Sequence, residues 1–231
     1  MQNQDAGKAG GRMTMAGLAA QLRCPHGADG LRVGQMMNLR NLTMIQGGLQ
    51  QLALADDERL LELGCGDGGL LAWILSQARN LHYTGVECSP TMRDAALRFN
   101  APFIDAGLAD YLLYDGRTLP FADGSFDKVL SVNTVYFWEE PAGLLAEMCR
   151  VLKPGGRLCL SFSERGFMST LPFTAWGFRL FDLADLEGLA AALPLTVLAR
   201  QRQQDLAVSK DGTLLTRPFV HLVLQKRGHA S

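Results

Sequence analysis

The chain has 231 residues, 48% hydrophobic and 19% charged, which is enough apolar material for a sizeable core and excludes a disordered or low-complexity protein. Lys and Arg number 22 against 23 Asp and Glu, a net charge of −1 that argues against nucleic acid as the main partner. Length alone sets the expectation at one domain with an extension.

The five cysteines, Cys24, Cys65, Cys88, Cys149 and Cys159, are odd in number and form no C-x-x-C pair. No disulfide framework or metal site is expected, and a reducing, cytoplasmic compartment fits. Cys24-Pro25-His26 offers two possible ligands without a second half. No apolar run approaches the roughly 18 residues that cross a membrane, and Met13 to Leu22 lacks a secretory core.

Residues 1–30 hold six of the 25 glycines and no sustained periodicity, and read as a flexible tail. Residues 31–55 read as a helical lid or cap, because Val33, Met36, Met37, Leu42, Met44, Ile45, Leu49 and Leu52 recur three and four apart. Gly47-Gly48 predicts a break or cap in that helix, and Met36 and Met37 read as core residues.

Residues 56–231 read as a single domain. Strands are predicted over 59–63, 81–86, 111–114, 126–132 and 157–162, alternating with helices over 70–78, 91–99 and 141–152. Ser89-Pro90 caps the second of these helices, and Lys153-Pro154-Gly155-Gly156 stops the third. After a helix candidate over 181–193, strands over 195–202 and 215–224 have no helix between them and should form an antiparallel hairpin. The six basic groups within 200–231 (Arg200, Arg202, Lys210, Arg217, Lys226, Arg227) read as a solvated face of that hairpin. The fold class is therefore α/β, a doubly wound, mostly parallel seven-stranded sheet with an antiparallel C-terminal hairpin.

The chemistry concentrates in Glu62-Leu63-Gly64-Cys65-Gly66-Asp67-Gly68-Gly69. A strand that runs into alternating glycines lets a ligand approach where a Cβ would intrude. Gly64, Gly66 and Gly69 satisfy G-x-G-x-x-G, which on its own does not distinguish a dinucleotide from other adenosine cofactors. Glu87 lies 19 residues beyond Gly68, where a carboxylate accepts both hydroxyls of a ribose. Glu62 discriminates, because an acid lining the turn suits a cationic cofactor such as S-adenosylmethionine and is a poor neighbour for a pyrophosphate.

From these residues the chain resembles the class I, seven-stranded S-adenosylmethionine-dependent methyltransferases. Glu62 to Gly68 is similar to the family's first motif, and Val86-Glu87-Cys88-Ser89-Pro90 to its second. Asp115, Leu119-Pro120-Phe121 and Ser125-Phe126-Asp127-Lys128-Val129 resemble the third and fourth motifs of the branch that includes quinone-biosynthesis methyltransferases. Glu147 to Leu158 resembles the helix and turn before the fifth strand. The resemblance implies a Rossmann-like methyltransferase fold that binds S-adenosyl-L-methionine, with S-adenosyl-L-homocysteine as product. It implies a cofactor site of Glu62, Gly64, Cys65, Gly66, Gly68, Glu87, Cys88, Asp115, Gly116 and Asn133. Glu87 would take the ribose, Asp115 the adenine amino group, and Asn133 would lie beside the methyl group. The family's usual acid at the second motif is Asp, and Glu87 keeps the chemistry with one methylene more.

The expected acceptor is a small molecule, with neither nucleic acid nor a membrane as partner. Asn133-Thr134-Val135-Tyr136 lacks both prolines of the Asn-Pro-Pro-Tyr motif of base-methylating enzymes. No catalytic group stands out, although Asn133 and Tyr136 are candidates and Tyr136, His26 and Glu139 could act as a base. Two other readings stay open at this point: a nicotinamide-dependent oxidoreductase, and a non-catalytic protein that binds an adenosine cofactor. His82 and His221 fall within predicted strands and read as structural.

Overall fold

The structure, a computed structural model, describes residues 13–208 and 214–228. The first 12 residues of the expected tail, with Lys210 in the hairpin, lie outside the described residues. In chain order the elements are α1 (Met15–Arg23), α2 (Gly27–Leu52), β1 (Arg59–Leu63), α3 (Leu71–Leu75), β2 (His82–Glu87), α4 (Pro90–Phe99), α5 (Ala101–Asp105), β3 (Ala109–Leu113) and β4 (Phe126–Val132). They continue with α6 (Pro141–Val151), β5 (Leu152–Phe162), α7 (Arg165–Met168), α8 (Leu183–Ala191), β6 (Leu195–Val208) and β7 (Leu214–Lys226).

The strands form one seven-stranded sheet in the order β3-β2-β1-β4-β5-β7-β6. Neighbours from β3 through β5 are parallel, and β7 is antiparallel to both β5 and β6. The inner strands are apolar on both faces, as strands covered by helices on either side must be. Leu60, Tyr83, Leu130 and Cys159 pack in one layer with Met44 and Leu49 of α2. Leu61, Leu63, Val129 and Leu158 pack in the other with Leu145 and Met148 of α6 and Leu186 of α8. The alternation of Leu60 and Leu61 is the period of two of a strand, and it turns Glu62 toward the α2 face.

Local signals start and stop several helices. Ser89 Oγ accepts from Met92 N at 3.1 Å to cap α4, with Pro90 at its first position. Asp182 and Asp185 form a capping box on α8. The Lys153 to Gly156 turn appears as a shift of register between β4 and β5, where Phe126 pairs Leu152 and Lys128 pairs Arg157.

Two expectations are corrected. α2 does not break at Gly47-Gly48 but runs unbroken from Gly27 to Leu52. A Cβ on Gly47 would sit 2.6 Å from His221 Nε2, and one on Gly48 2.9 Å from Leu130 Cδ1, so these glycines let the helix lie close on the sheet. The second concerns the expected tail, in which residues 15–23 are helical, capped by Thr14 Oγ1 accepting from Gly17 N at 3.0 Å. Among the described residues no helix is long and apolar enough to cross a membrane, and no cluster of three His, Cys, Asp or Glu could hold a metal.

Candidate functional site

The order of strands reverses between β1 and β4, and the cleft outside the carboxyl ends of such strands is where α/β sheets bind ligands. A cavity of about 290 Å³ lies there. Its floor is the loop after β1, anchored where Gly64 N–H donates to Val86 O at 2.8 Å. Gly64, Gly66 and Gly68 all take positive φ, at 71°, 59° and 65°. Their surroundings differ. A Cβ on Gly64 would meet Thr134 Cγ2 at 2.5 Å, and one on Gly68 would collide with the Tyr111 hydroxyl and Asn100. A Cβ on Gly66 would have only Asn38 Oδ1 within reach, at 3.8 Å, and would project into the cleft. From α2, Asn38 donates to Asp67 Oδ1, which also accepts from Gly69 N at 3.1 Å and so holds the loop closed.

Two buried carboxylates face this cavity. Glu62, 6% exposed, accepts from the Tyr83 hydroxyl through Oε2 at 2.6 Å, while Oε1 has no partner among the described residues. Burial, reinforced by the charge of Glu87, pushes its carboxyl up to about 7. Glu87 is 5% exposed, and its two oxygens accept from Gly66 N at 3.0 Å and Ser89 N at 2.9 Å. Burial raises its carboxyl too, against the pull of those N–H groups. Cys65 and Cys88 line the same wall, and burial pushes both thiols up.

At the rim, Asp115 Oδ1 accepts from Arg117 N and Thr118 N at 2.8 Å each, and these bonds hold its carboxyl below the usual range. Gly116 follows with φ 78°. Glu139 bridges Arg117 and Arg23, which lower its carboxyl and leave it a poor proton acceptor.

A second cavity, of about 430 Å³, adjoins the first. Met36 and Met37 of α2, Phe137 after β4, and Phe167, Phe173 and Phe178 from the segment before α8 line it. Phe137 and Phe178 meet edge to face with centroids 4.6 Å apart. Asn133 stands between the two cavities at φ 56°, a left-handed backbone that a non-glycine residue seldom adopts. Its Nδ2 donates to Asn41 Oδ1 at 3.0 Å. Arg217 Nη1 reaches the same Asn41 oxygen at 3.3 Å, while its Nε and Nη2 pair with Asp205 at 3.0 and 2.6 Å. The Tyr136 hydroxyl accepts from Ser163 N at 2.7 Å and donates to Ser163 O at 2.9 Å. That leaves it no proton for Asn133 Oδ1, 3.3 Å away.

The structure thus brings Glu62, Gly64, Cys65, Gly66, Glu87, Cys88, Asp115, Gly116 and Asn133 to one cavity wall. Gly68 is absent from that wall and lies behind the loop against Tyr111 and Asn100. Of the groups considered as a base, His26 lines neither cavity and is tied to Gln21, and burial pushes the Tyr136 hydroxyl up. Met36 and Met37 are half-buried cavity lining rather than core. Asn38, Asn41 and Arg217 carry no local motif, since their roles exist only once α2 and β7 lie beside the loop and β4.

The segment 61–160, which contains the glycine loop, Glu87, Asp115 and Asn133, matches the methyltransferase domain family model. An uncharacterized methyltransferase, YdaC, of Bacillus subtilis is 28% identical over 57% of this chain and 71% of its own length. The 2-methyl-6-phytyl-1,4-hydroquinone methyltransferase of Synechocystis is 31% identical over 74% of this chain and 54% of its own length. The chain spans about half the length, or less, of most of the curated relatives it matches. In fold it is similar to a chain of the complex between the Haloferax volcanii Trm112 methyltransferase activator and its methyltransferase, with TM-score 0.73 at 18% identity over 87% of this chain and 96% of that one. A family match that begins within β1 and ends within β5 spans the strands whose carboxyl ends build the first cavity. That match, the relatives and the sheet order agree in likening the chain to the class I S-adenosylmethionine-dependent methyltransferases.

Proposed function

We propose that the protein transfers the methyl group of S-adenosylmethionine to a small, largely apolar acceptor by in-line displacement, with the cofactor in the smaller cavity and the acceptor in the larger. The observation that carries this is the junction at Asn133, where an acid-lined cleft over a glycine loop opens on an apolar chamber. Bound S-adenosylmethionine supplies a methyl group on a sulfonium whose thioether leaves without needing a proton.

The chain's residues bind and orient. Gly66 keeps the loop open to the cofactor, and Gly64 and Gly68 hold its turn. Glu62 offers its unpartnered oxygen to the cofactor's positive charge. Glu87 keeps lone pairs for the ribose hydroxyls, and Asp115 and Gly116 flank the adenine, with Cys65 and Cys88 filling the wall. Asn133 stands where the transferred group would pass, and alignment of donor and acceptor supplies most of the rate. Similarity to the Synechocystis relative, a hydroquinone methyltransferase, supports a small apolar acceptor. The five free cysteines suit a cytoplasmic enzyme.

Calorimetry with S-adenosylhomocysteine tests the cofactor site. Gly66→Val and Glu87→Ala should each weaken binding about 10-fold or more, as expected for losing charge-assisted hydrogen bonds or the space beside the loop. If both variants fold and bind like the parent protein, the site is misplaced.

A further inference from the structure

Resting on the methyl-transfer reading above, we propose that the acceptor is a monocarboxylic acid with an apolar body, methylated on its carboxylate oxygen to a methyl ester. The first ground is what the larger cavity lacks. Its described lining contains no Asp, Glu, His, Lys or Cys, and Glu62 and Glu87 line the smaller cavity alone. The Tyr136 hydroxyl is committed to Ser163 on both sides. No group there takes a proton, so an alcohol would have nowhere to send its own, and an amine would arrive as an ammonium that must first be deprotonated. A carboxylate arrives ionised, with its lone pair available.

Charge points the same way. The ionic side chains lining this cavity are Arg40 and Arg217. Asp205 offsets Arg217, whereas Arg40 makes no ion pair among the described residues and leaves the chamber a net cation. Asn41 supplies the directional contact. Because its Oδ1 already accepts from Asn133 Nδ2 and Arg217 Nη1, its amide is oriented with the NH₂ group free, and that group has no partner among the described residues. A free NH₂ at the junction of the two cavities suits a carboxylate oxygen. Arg217 is thus a positioning residue for Asn41. In the reaction the carboxylate oxygen forms a bond to the methyl carbon, and the electron pair of the breaking carbon–sulfur bond stays on sulfur. An anion and a cation become two neutral molecules, and no proton moves.

The test uses the full chain, S-adenosylmethionine labelled in the methyl group, and four probes: decanoate, decanol, decylamine and methylhydroquinone. Expected is label in methyl decanoate, with turnover of the other three at least 10-fold slower. Arg40→Glu should raise the KM for decanoate at least 10-fold with little change in kcat, while leaving S-adenosylhomocysteine binding by calorimetry unchanged. Preferred methylation of decanol, decylamine or methylhydroquinone overturns the carboxylate assignment, as does an Arg40→Glu variant whose KM for decanoate stays within twofold. Binding of S-adenosylhomocysteine without turnover of any probe also overturns it, while sparing the cofactor site. No binding of S-adenosylhomocysteine at all defeats the methyl-transfer reading itself.

Discussion

Glu62 is a carboxylate that folding leaves half satisfied, with Tyr83 on one oxygen and the cleft on the other. Its carboxyl rises from 4.5 in the unfolded chain to about 7 when buried, so the protonated acid is the form the fold prefers. The stability associated with this group is therefore fully present below about pH 4.5 and is lost as pH rises through about 7. The loss amounts to about 3 kcal/mol. Glu62→Gln, which keeps an acceptor for the Tyr83 hydroxyl, should therefore raise stability by about 2 to 3 kcal/mol at pH 8 and change it little at pH 4. Denaturant melts at the two pH values check this, and an equal effect at both would refute it. The same substitution should weaken cofactor binding, so the residue trades stability for function. That Glu62 lines the cleft was readable from its place before the glycines. That Tyr83 secures it was not, because the bond requires the register in which Leu60 faces Tyr83 and Glu62 faces Gly85.

α2 is one helix with two environments. Its stretch 44–52 buries Met44, Leu49 and Leu52 against the sheet, while the stretch 27–41 presents Met36, Met37, Asn38 and Asn41 to the two cavities. We expect the former to behave as core and the latter as the closing element over the site. Adding S-adenosylhomocysteine should slow amide hydrogen exchange in residues 27–41 and leave residues 44–52 as they were. Slowing of equal size in both stretches, or in neither, would argue against a lid.

The apolar spacing announced this helix. Its continuity was hidden, because a glycine pair costs a helix roughly 1 kcal/mol per residue and reads as a stop unless the surface beneath is known. His221, Leu130 and Ser161 are that surface. The segment between β5 and α8 was hidden for a different reason. A helix of four residues and a 3-10 turn over Pro172–Ala175 are too short to carry a period, yet they bring Phe167 and Phe173 to the larger cavity.

At the scale of the whole molecule, the sheet could be anticipated because strands and helices alternate and the right-handed crossover restricts how they connect. The loop after β1 could be placed at the strand-order reversal for the same reason. The larger cavity could not, since α1, α2, the segment before α8 and the outer end of the β6–β7 hairpin each supply part of it.

Five residues, Leu22, Met37, Asn41, Asn133 and Phe137, line both cavities. A ligand that orders this partition from one side lowers the entropic cost of the next ligand on the other, so the two binding equilibria are linked. Linkage is reciprocal: S-adenosylhomocysteine should tighten decanoate by the same factor by which decanoate tightens S-adenosylhomocysteine, about fivefold or more for a coupling of about 1 kcal/mol. Two calorimetric titrations run in opposite order measure that factor twice, and a factor of one would dispose of the idea. The ester lacks the charge that engages Arg40 and Asn41, so the tightening that retains the substrate pair should not retain the product. The partition would then act as a ratchet, holding reactants together and releasing them once the methyl group has crossed.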